Sequence, residues 1–181
     1  EPVDEWEDIK DSNGKTMLQK FYENQEKYSF PFQMMAYISR LKLLKDTVEQ
    51  NPNAIIISER SLYTDKYVFA KMLYDDGKIC EVEYQIYMKW FDEFKKDFPP
   101  EMIIYVKTTP VVAHCRVGTR GRKGENIPIE YMEKCHDYHK QWICQIPSDS
   151  VCELDGNIDI AESPDIMSCW KQTIDEFLAI K

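Results

Sequence analysis

The sequence predicts an α/β fold built on a parallel sheet. Three short, largely apolar runs, at residues 54–57, 102–106 and 151–154, alternate with longer segments in which apolar residues recur every three or four positions. The first run is apolar throughout and largely β-branched, which is typical of a strand buried on both faces of a parallel sheet. Because strands that alternate with amphipathic helices form βαβ units, we expect three strands flanked by helices.

The expected elements have recognisable boundaries along the chain. Pro31 suits the first turn of a long amphipathic helix, and Pro99–Pro100 ends another helix. Helices are expected over residues 16–28, 31–49, 62–74, 81–98, 110–118, 128–145 and 164–179, and strands over 54–58, 102–106 and 151–154.

Length and composition limit the class of protein. The 181 residues, 43% of them hydrophobic, suffice for a single domain covering residues 1–181. A net charge of -9 argues against a nucleic-acid partner, because a phosphate backbone would be repelled. No apolar run is long enough to predict a membrane span. Six cysteines without a C-x-x-C pair indicate a reducing intracellular compartment, the cytoplasm or alternatively the mitochondrion.

Two short motifs are interpreted as coincidental. Residues Gly14–Thr16 match only the tail of a Walker loop, since Ile9 holds the place of the leading glycine and no buried strand comes before them. Cys135, His136 and His139 have part of the spacing of a metal site, but no fourth ligand is evident nearby. We therefore interpret the first motif as an ordinary loop and the residues of the second motif as structural residues that pack within the fold.

Glu59 and Arg60 form the first charged cluster that suits phosphoryl transfer. They directly follow the strand expected at 54–58, and ligands of open α/β sheets bind just beyond the carboxyl ends of such strands. The carboxylate could hold a metal ion and the guanidinium could stabilise developing charge. A solvated charged turn is the alternative interpretation.

The second charged cluster is basic. Arg116, Arg120 and Arg122 lie within a short segment of an acidic protein, and their planar guanidinium groups suit phosphate oxygens. Interspersed glycines give this segment the backbone freedom of a closing loop. We therefore predict a lid over about residues 116–126, with a solvated run of charge as the alternative.

Spaced motifs along nearly the whole chain resemble the deoxynucleoside kinase family, and most closely its deoxycytidine and deoxyguanosine kinase branch. The motifs are Glu1-Pro2-Val3 with Trp6, Tyr22, Ser29-Phe30 through Phe32-Gln33, Ser39-Arg40, Glu59-Arg60-Ser61 through Tyr63, Asp65, Phe69, the spaced arginines, Ile127-Pro128 with Glu130-Tyr131, and Asp155 through Asp159. The resemblance implies a P-loop kinase-like parallel sheet flanked by helices in three α/β/α layers. The family's first strand and P-loop come before the position of Glu1, so we expect the chain to be a fragment that lacks them.

The resemblance also implies roles for individual residues. Glu1 matches the general base, Arg60 the residue that steadies the 5′-hydroxyl, and Glu59 the residue near Mg²⁺, while Arg120 and Arg122 complete the catalytic group. The implied substrate-binding residues are Val3, Trp6, Leu18, Tyr22, Phe32, Gln33, Arg40, Asp65, Phe69 and Glu125. The residues implied to bind ATP are Arg116, Arg120, Asp159 and Ile160.

Base recognition is assigned to Gln33, Arg40 and Asp65. An amide offers a donor and an acceptor, so Gln33 can make a two-bond contact with a base edge, although core packing is the alternative. Arg40 lies two helical turns after Gln33, and a buried arginine requires an acidic partner. Asp65 matches the family position that provides this partner. The pair resembles that of kinases that accept deoxycytidine, deoxyadenosine or deoxyguanosine rather than thymidine, and these three remain unranked.

The sequence therefore predicts an enzyme of nucleotide salvage that transfers the γ-phosphate of ATP, with Mg²⁺, to the 5′-hydroxyl of a deoxyribonucleoside. Relatives pair as homodimers, so a homodimer is expected. Two alternatives stay open. A non-catalytic pseudokinase or assembly subunit would show decay of the site residues, and none has decayed. A nucleoside monophosphate kinase would need a further basic group for the acceptor phosphate.

Overall fold

A computed structural model describes residues 8–98, 102–121 and 127–179 of the chain. These residues form two compact units. The first unit, built from residues 8–98, is helical; the second, built from the remaining described residues, contains the sheet. Whether the whole chain is a single domain stays a prediction.

Helices α1 (Met17–Glu23) and α2 (Gln25–Gln50) open the first unit. The start predicted for α2 at Pro31 is wrong. The helix begins earlier because the side chain of Asn24 caps it, accepting a hydrogen bond from the Lys27 amide at 3.1 Å. Pro31 therefore lies inside α2 on its exposed side, where its missing N–H removes one helical hydrogen bond.

The next helical segment has a π-helical centre. It consists of α3 (Leu62–Thr64), a π-helix (Asp65–Ala70) and α4 (Lys71–Asp75). Ser61 caps its start, because its Oγ accepts a hydrogen bond from the Thr64 amide at 3.2 Å. The predicted helix is confirmed, but its π-helical centre was not predicted. Such stretches are often found at functional sites.

Helix α5 (Glu81–Phe94) completes the first unit. Its buried side packs against α2 and α3 through aromatic and aliphatic side chains, and the fully buried residues of this cluster are Tyr37, Leu62, Ala70, Tyr87 and Phe91. A second cluster in the same unit consists of Phe21, Phe32, Ala36, Leu73 and Ile79. The first unit thus has an extended apolar core around α2.

The second unit is built on two parallel strands, β1 (Ile103–Lys107) and β2 (Val151–Asp155). Ile103 lies opposite Val151, and the register continues to Lys107 opposite Asp155. This parallel pair confirms two of the predicted strands and the α/β class.

Helices α6 (Pro110–Arg120), α7 (Ile129–Ile143) and α8 (Ile166–Ala179) surround the strands. Phe177 of α8 packs with Cys152 and Leu154 of β2 to form the core of this unit. None of the helices in the part of the chain that the structure describes has both the length and the apolar character needed to cross a membrane.

The strand predicted at residues 54–58 is wrong. This segment has no regular structure, and Ile55 and Ile57 are 77% and 69% exposed. An apolar run becomes a buried strand only where a neighbouring strand supplies hydrogen-bond partners and covers its faces. Within the described ranges, no strand pairs with residues 54–58.

Candidate active site

The residues predicted for the nucleoside site collect around α2 in the first unit. Phe32, Gln33 and Arg40 lie on the buried side of this helix. Leu18 and Tyr22 of α1 are half-buried and pack against the cluster that contains Phe32. Five predicted substrate-binding side chains are therefore held by the same two helices.

Aromatic rings form one wall of this region. The rings of Phe21 and Phe32 are stacked, with centroids 4.5 Å apart and planes inclined by 19°. Tyr22 lies beside them, its ring centroid 5.3 Å from that of Phe21. A wall of flat rings suits a planar heterocycle, because sites for small molecules are mostly apolar with a few placed polar groups.

Arg40 and Asp65 form a buried ion pair. Nη1 of Arg40 donates a hydrogen bond to Oδ2 of Asp65, and the two side chains are only 6% and 4% exposed. Arg40 comes from α2, and Asp65 is the first residue of the π-helix. The structure thus brings together the two residues that the sequence pairs, in an environment where neither charge could remain without a partner.

The buried Asp65 carboxylate helps to raise the pKa of two tyrosines, Tyr37 and Tyr87. Tyr37 of α2 is fully buried, and its hydroxyl donates to the Trp90 carbonyl at 3.3 Å. Burial and the Asp65 carboxylate raise the pKa of Tyr37 to about 12. The same two causes raise the pKa of Tyr87 well above its usual range. Both phenols therefore stay neutral beside the ion pair at any physiological pH.

Lys66 is a buried cation that sequence reasoning missed. Its ammonium lies 4.3 Å from the ring centroid of Phe91 and 4.8 Å from that of Tyr67. Burial lowers its pKa, while Asp92 opposes this change. No sequence signal distinguishes Lys66 from a surface lysine, because its burial depends partly on Phe91, which is distant in sequence.

Three buried polar atoms of the first unit have no hydrogen-bond partner among the described residues: Ser29 Oγ, Gln33 Oε1 and Tyr87 Oη. Buried polar atoms are nearly always paired, so each exception needs an explanation. For Gln33, the unpaired oxygen lies on the residue predicted to contact a base edge.

Glu59 and Arg60 lie in an exposed turn before α3. Arg60 adopts a φ of 61°, a left-handed conformation that is uncommon for a residue with a Cβ. The Ser58 hydroxyl donates to the Arg60 carbonyl at 2.9 Å and supports this turn. The Arg60 guanidinium lies 4.8 Å from the ring centroid of Phe69, a cation–π contact. Arg60, predicted to be catalytic, is therefore next to Phe69, predicted to bind the substrate.

In the second unit, Arg116 of α6 holds the loop that follows β2. Its Nη1 donates to the Gly156 carbonyl at 2.6 Å, and its Nη2 donates to the carbonyls of Asn157 and Ile158 at 3.4 and 3.2 Å. A planar guanidinium can reach several acceptors at once. Part of the positive charge of Arg116 therefore already interacts with backbone oxygens.

A pocket of about 340 Å³ opens beside this arginine, a size within the usual range for small-molecule sites. It is lined by Val106, Arg116, Gly156, Ile158, Asp159, Ile160 and Trp170. Three predicted ATP-binding residues, Arg116, Asp159 and Ile160, thus line one pocket. The carboxylate of Asp159 also accepts a hydrogen bond from the Ala161 amide at 2.9 Å and orders the turn.

Gly156 and Asn157 are structural residues of this site that sequence reasoning did not single out. The Gly156 amide donates to the Lys107 carbonyl at 2.7 Å, and a Cβ at Gly156 would lie 2.3 Å from Thr108 Oγ1. The Thr109 amide donates to the Asn157 side chain at 2.8 Å. The signal was a glycine directly after a strand, where a close backbone approach is common.

Arg120, the fourth residue predicted to bind ATP, is not among the described residues that line this pocket. Arg120 lies exposed in the last turn of α6, and Gly121, with a φ of 60°, ends the helix. Glu1, Val3, Trp6, Arg122 and Glu125 lie outside the residues that the structure describes. Their roles stay predictions.

The two motifs interpreted as coincidental have local structural roles. Lys15 forms an ion pair with Glu23 at 2.7 Å, and Thr16 caps α1. Nδ1 of His139 lies 2.6 Å from the Cys135 carbonyl one helical turn earlier. All six cysteines are free thiols.

Comparison with known proteins identifies the family. A family profile described as deoxynucleoside kinase matches residues 1–178. The chain belongs to the deoxynucleoside kinase family. Members of this family have a P-loop kinase fold, so both the resemblance and the three-layer α/β/α class predicted from the sequence are confirmed.

The chain is similar to curated proteins that are named deoxycytidine kinase or deoxyguanosine kinase. It is 34% identical to deoxycytidine kinase 1 of Xenopus laevis, over 97% of this chain and 74% of the relative. It is 36% identical to deoxycytidine kinase of Homo sapiens, over 77% of this chain and 58% of the relative. It is 30% identical to the mitochondrial deoxyguanosine kinase of Xenopus laevis, over 88% of this chain and 68% of the relative.

Proposed function

We propose that this deoxynucleoside kinase transfers the γ-phosphate of ATP to the 5′-hydroxyl of deoxycytidine, deoxyadenosine or deoxyguanosine, in preference to thymidine. The buried Arg40–Asp65 pair carries this proposal. It offers charged donors and acceptors to a base edge, and a base that leaves such groups unpaired is rejected strongly. The names of the relatives, deoxycytidine and deoxyguanosine kinases, support the same substrate class.

The described acceptor residues suit a nucleoside. Gln33 Oε1 has no hydrogen-bond partner among the described residues and would accept from a base amino group, while Phe32 and Phe69 would cover the faces of the ring. Leu18 would add apolar contact, and Tyr22 would bind the 3′-hydroxyl together with Glu125. These roles follow from the family resemblance and agree with the chemistry of each side chain.

In the reaction, the 5′-oxygen forms a bond to the γ-phosphorus while the bond to the ADP oxygen breaks. Glu1 would take the proton of the hydroxyl, and Arg60 would steady that hydroxyl. Arg120 and Arg122 would compensate the charge on the transferring group. Arg116, Asp159 and Ile160 would hold ATP in the pocket of the second unit.

Glu59 fits the coordination chemistry of Mg²⁺. Its carboxylate is exposed, and it makes no hydrogen bond or ion pair with a described residue. Proteins usually bind Mg²⁺ through one or two carboxylates together with substrate phosphates. When bound, the ion would neutralise phosphate charge.

We also propose an intracellular homodimer, in the cytoplasm or alternatively in the mitochondrion. The free cysteines support a reducing compartment. The family resemblance implies dimer contacts through the helices that follow Ser61 and Pro128. On these helices Tyr67 is exposed, whereas Met72 and Trp142 are buried in the chain itself. Light scattering in solution would show twice the chain mass for a dimer and the single chain mass if this proposal is wrong.

The test of the substrate proposal is an initial-rate assay of the whole protein with ATP and each of the four deoxyribonucleosides. We expect transfer to at least one of deoxycytidine, deoxyadenosine and deoxyguanosine, and a much lower kcat/KM for thymidine. Transfer to no nucleoside would favour the pseudokinase alternative. Transfer to nucleoside monophosphates instead would favour the monophosphate kinase alternative.

A further inference from the structure

Ser29 is a buried hydroxyl without a structural explanation. It is 0% exposed, and its Oγ has no partner among the described residues. Serine hydroxyls inside helices commonly donate to the carbonyl four residues earlier, and this one does not. An unpaired buried hydroxyl is unfavourable in the free protein, so a partner is expected from a functional state.

Gln33 Oε1 is the second buried polar atom of α2 without a partner among the described residues, and Gln33 lies one turn after Ser29. With about 100° of rotation per residue, Ser29 and Gln33 point about 40° apart, and Arg40 points between them. Side chains four residues apart on a helix are neighbours, with Cβ atoms about 5–6 Å apart. Ser29 Oγ and Gln33 Oε1 therefore face the same buried side of α2, and neither has a hydrogen-bond partner in the part of the chain that the structure describes.

We propose that Ser29 is a positioning residue for Gln33. When a nucleobase is bound, the Ser29 hydroxyl donates to Gln33 Oε1, directly or through one water molecule. A carbonyl oxygen has two lone pairs, so the second lone pair and the amide NH₂ remain available to the base edge. This contact satisfies both unpaired atoms and fixes the amide. The inference rests on the proposed function, because it assigns the base edge to Gln33.

The first test is Ser29→Ala in the whole protein. We expect KM for deoxycytidine to rise about fivefold with kcat unchanged, the factor expected for one neutral hydrogen bond. The Tm of the free protein should stay the same or rise, because the substitution removes a hydroxyl that has no partner in that state. An unchanged KM would overturn the proposal.

Ser39→Ala is the matched control. Ser39 lies on the same helix and is half-buried, but it points about 80° away from Ser29. The same chemical change at this position should leave KM for deoxycytidine unchanged. An equal rise in KM for both variants would show a general effect of the helix and would contradict a specific role of Ser29.

A double-mutant cycle separates positioning from direct contact. In a Gln33→Ala background, Ser29→Ala should cause no further rise in KM, because the group through which Ser29 acts is gone. If the two effects multiply instead, Ser29 acts independently of Gln33 and the inference is wrong.

Calorimetric titration with deoxycytidine keeps this inference separate from the proposed activity. A wild-type protein that binds deoxycytidine but transfers no phosphate would overturn the proposed activity. The Ser29→Ala, Gln33→Ala double-mutant cycle would then be measured with Kd values in place of KM values. A wild-type protein that binds no nucleoside would overturn both.

Discussion

The two units of the chain hold their site residues in opposite ways. In the first unit, Gln33, Arg40 and Asp65 are buried, and packing fixes them. In the second unit, Arg116, Arg120 and Asp159 are exposed, and hydrogen bonds to backbone atoms hold two of them. Buried polar groups discriminate between ligands because an unpaired group is costly, whereas exposed arginines attract any phosphate. We infer that base selection is built into the first unit and that the donor site recognises charge common to all nucleotides.

The largest effect should come from separating the buried pair. Arg40→Met removes the cation that pairs with the buried Asp65 carboxylate, which should lower the free energy of unfolding by about 3–5 kcal/mol. Replacing both residues, as Arg40→Met with Asp65→Leu, removes the buried carboxylate as well and should restore most of that stability. Urea unfolding of the two variants measures the difference. Equal destabilisation in both would mean that the loss is one of packing rather than of charge.

A medium effect is expected from the loop that shapes the donor pocket. Gly156→Ala places a methyl group against Thr108 and the Lys107 carbonyl, which should lower the free energy of unfolding by about 1–3 kcal/mol. The control is Gly118→Ala in α6, where no atom lies within 4 Å of the new Cβ. That variant should be neutral or more stable by up to about 1 kcal/mol, because alanine favours a helix. The reverse order in thermal unfolding would contradict the close approach at Gly156.

A smaller effect in free energy is expected at Arg116. Arg116→Ala removes a guanidinium that holds the 156–158 loop, so KM for ATP should rise about tenfold, or about 1.4 kcal/mol. KM for the nucleoside should change less than twofold. Arg116→Lys keeps the charge without the planar fork and should recover only part of the loss. A larger change in the KM for the nucleoside than in the KM for ATP would contradict the inference that the first unit selects the base and the second unit binds the phosphate donor.

The smallest effect at neutral pH is expected at Tyr37, whose contribution to stability changes only in alkaline solution. Because the pKa of Tyr37 is raised to about 12 in the folded protein, the unfolded chain loses this proton first, near pH 10. Its contribution to stability is therefore complete below pH 10 and is lost as the pH rises towards 12, with a slope of at most about 1.4 kcal/mol per pH unit. Tyr37→Phe should make the pH dependence of urea unfolding shallower over this range. An unchanged slope would show that Tyr37 does not titrate differently in the two states.

The sequence predicted the parts of the molecule that depend on local spacing. Arg40 and Gln33 share a helix face because seven residues make two turns, and a buried arginine needs an acidic partner. That this partner is Asp65 came from the family resemblance and not from spacing. The strand at 54–58 could not be predicted correctly, because an apolar run does not show whether a neighbouring strand is present. The burial of Lys66 depends on Phe91, which is distant in sequence and which no local pattern shows. A glycine directly after a strand indicates a close approach at Gly156, but its partners in residues 106–108 could not be predicted from it.

The most direct measurement is the ratio of kcat/KM for the best substrate among deoxycytidine, deoxyadenosine and deoxyguanosine to that for thymidine, in the wild type and in the Arg40→Met, Asp65→Leu variant. If the buried pair sets base preference, the wild-type ratio should exceed about 100, and it should fall towards 1 when apolar side chains replace the charges and leave room for the thymine methyl group. A variant that folds, retains activity and keeps the wild-type ratio would contradict the claim that this pair selects the base.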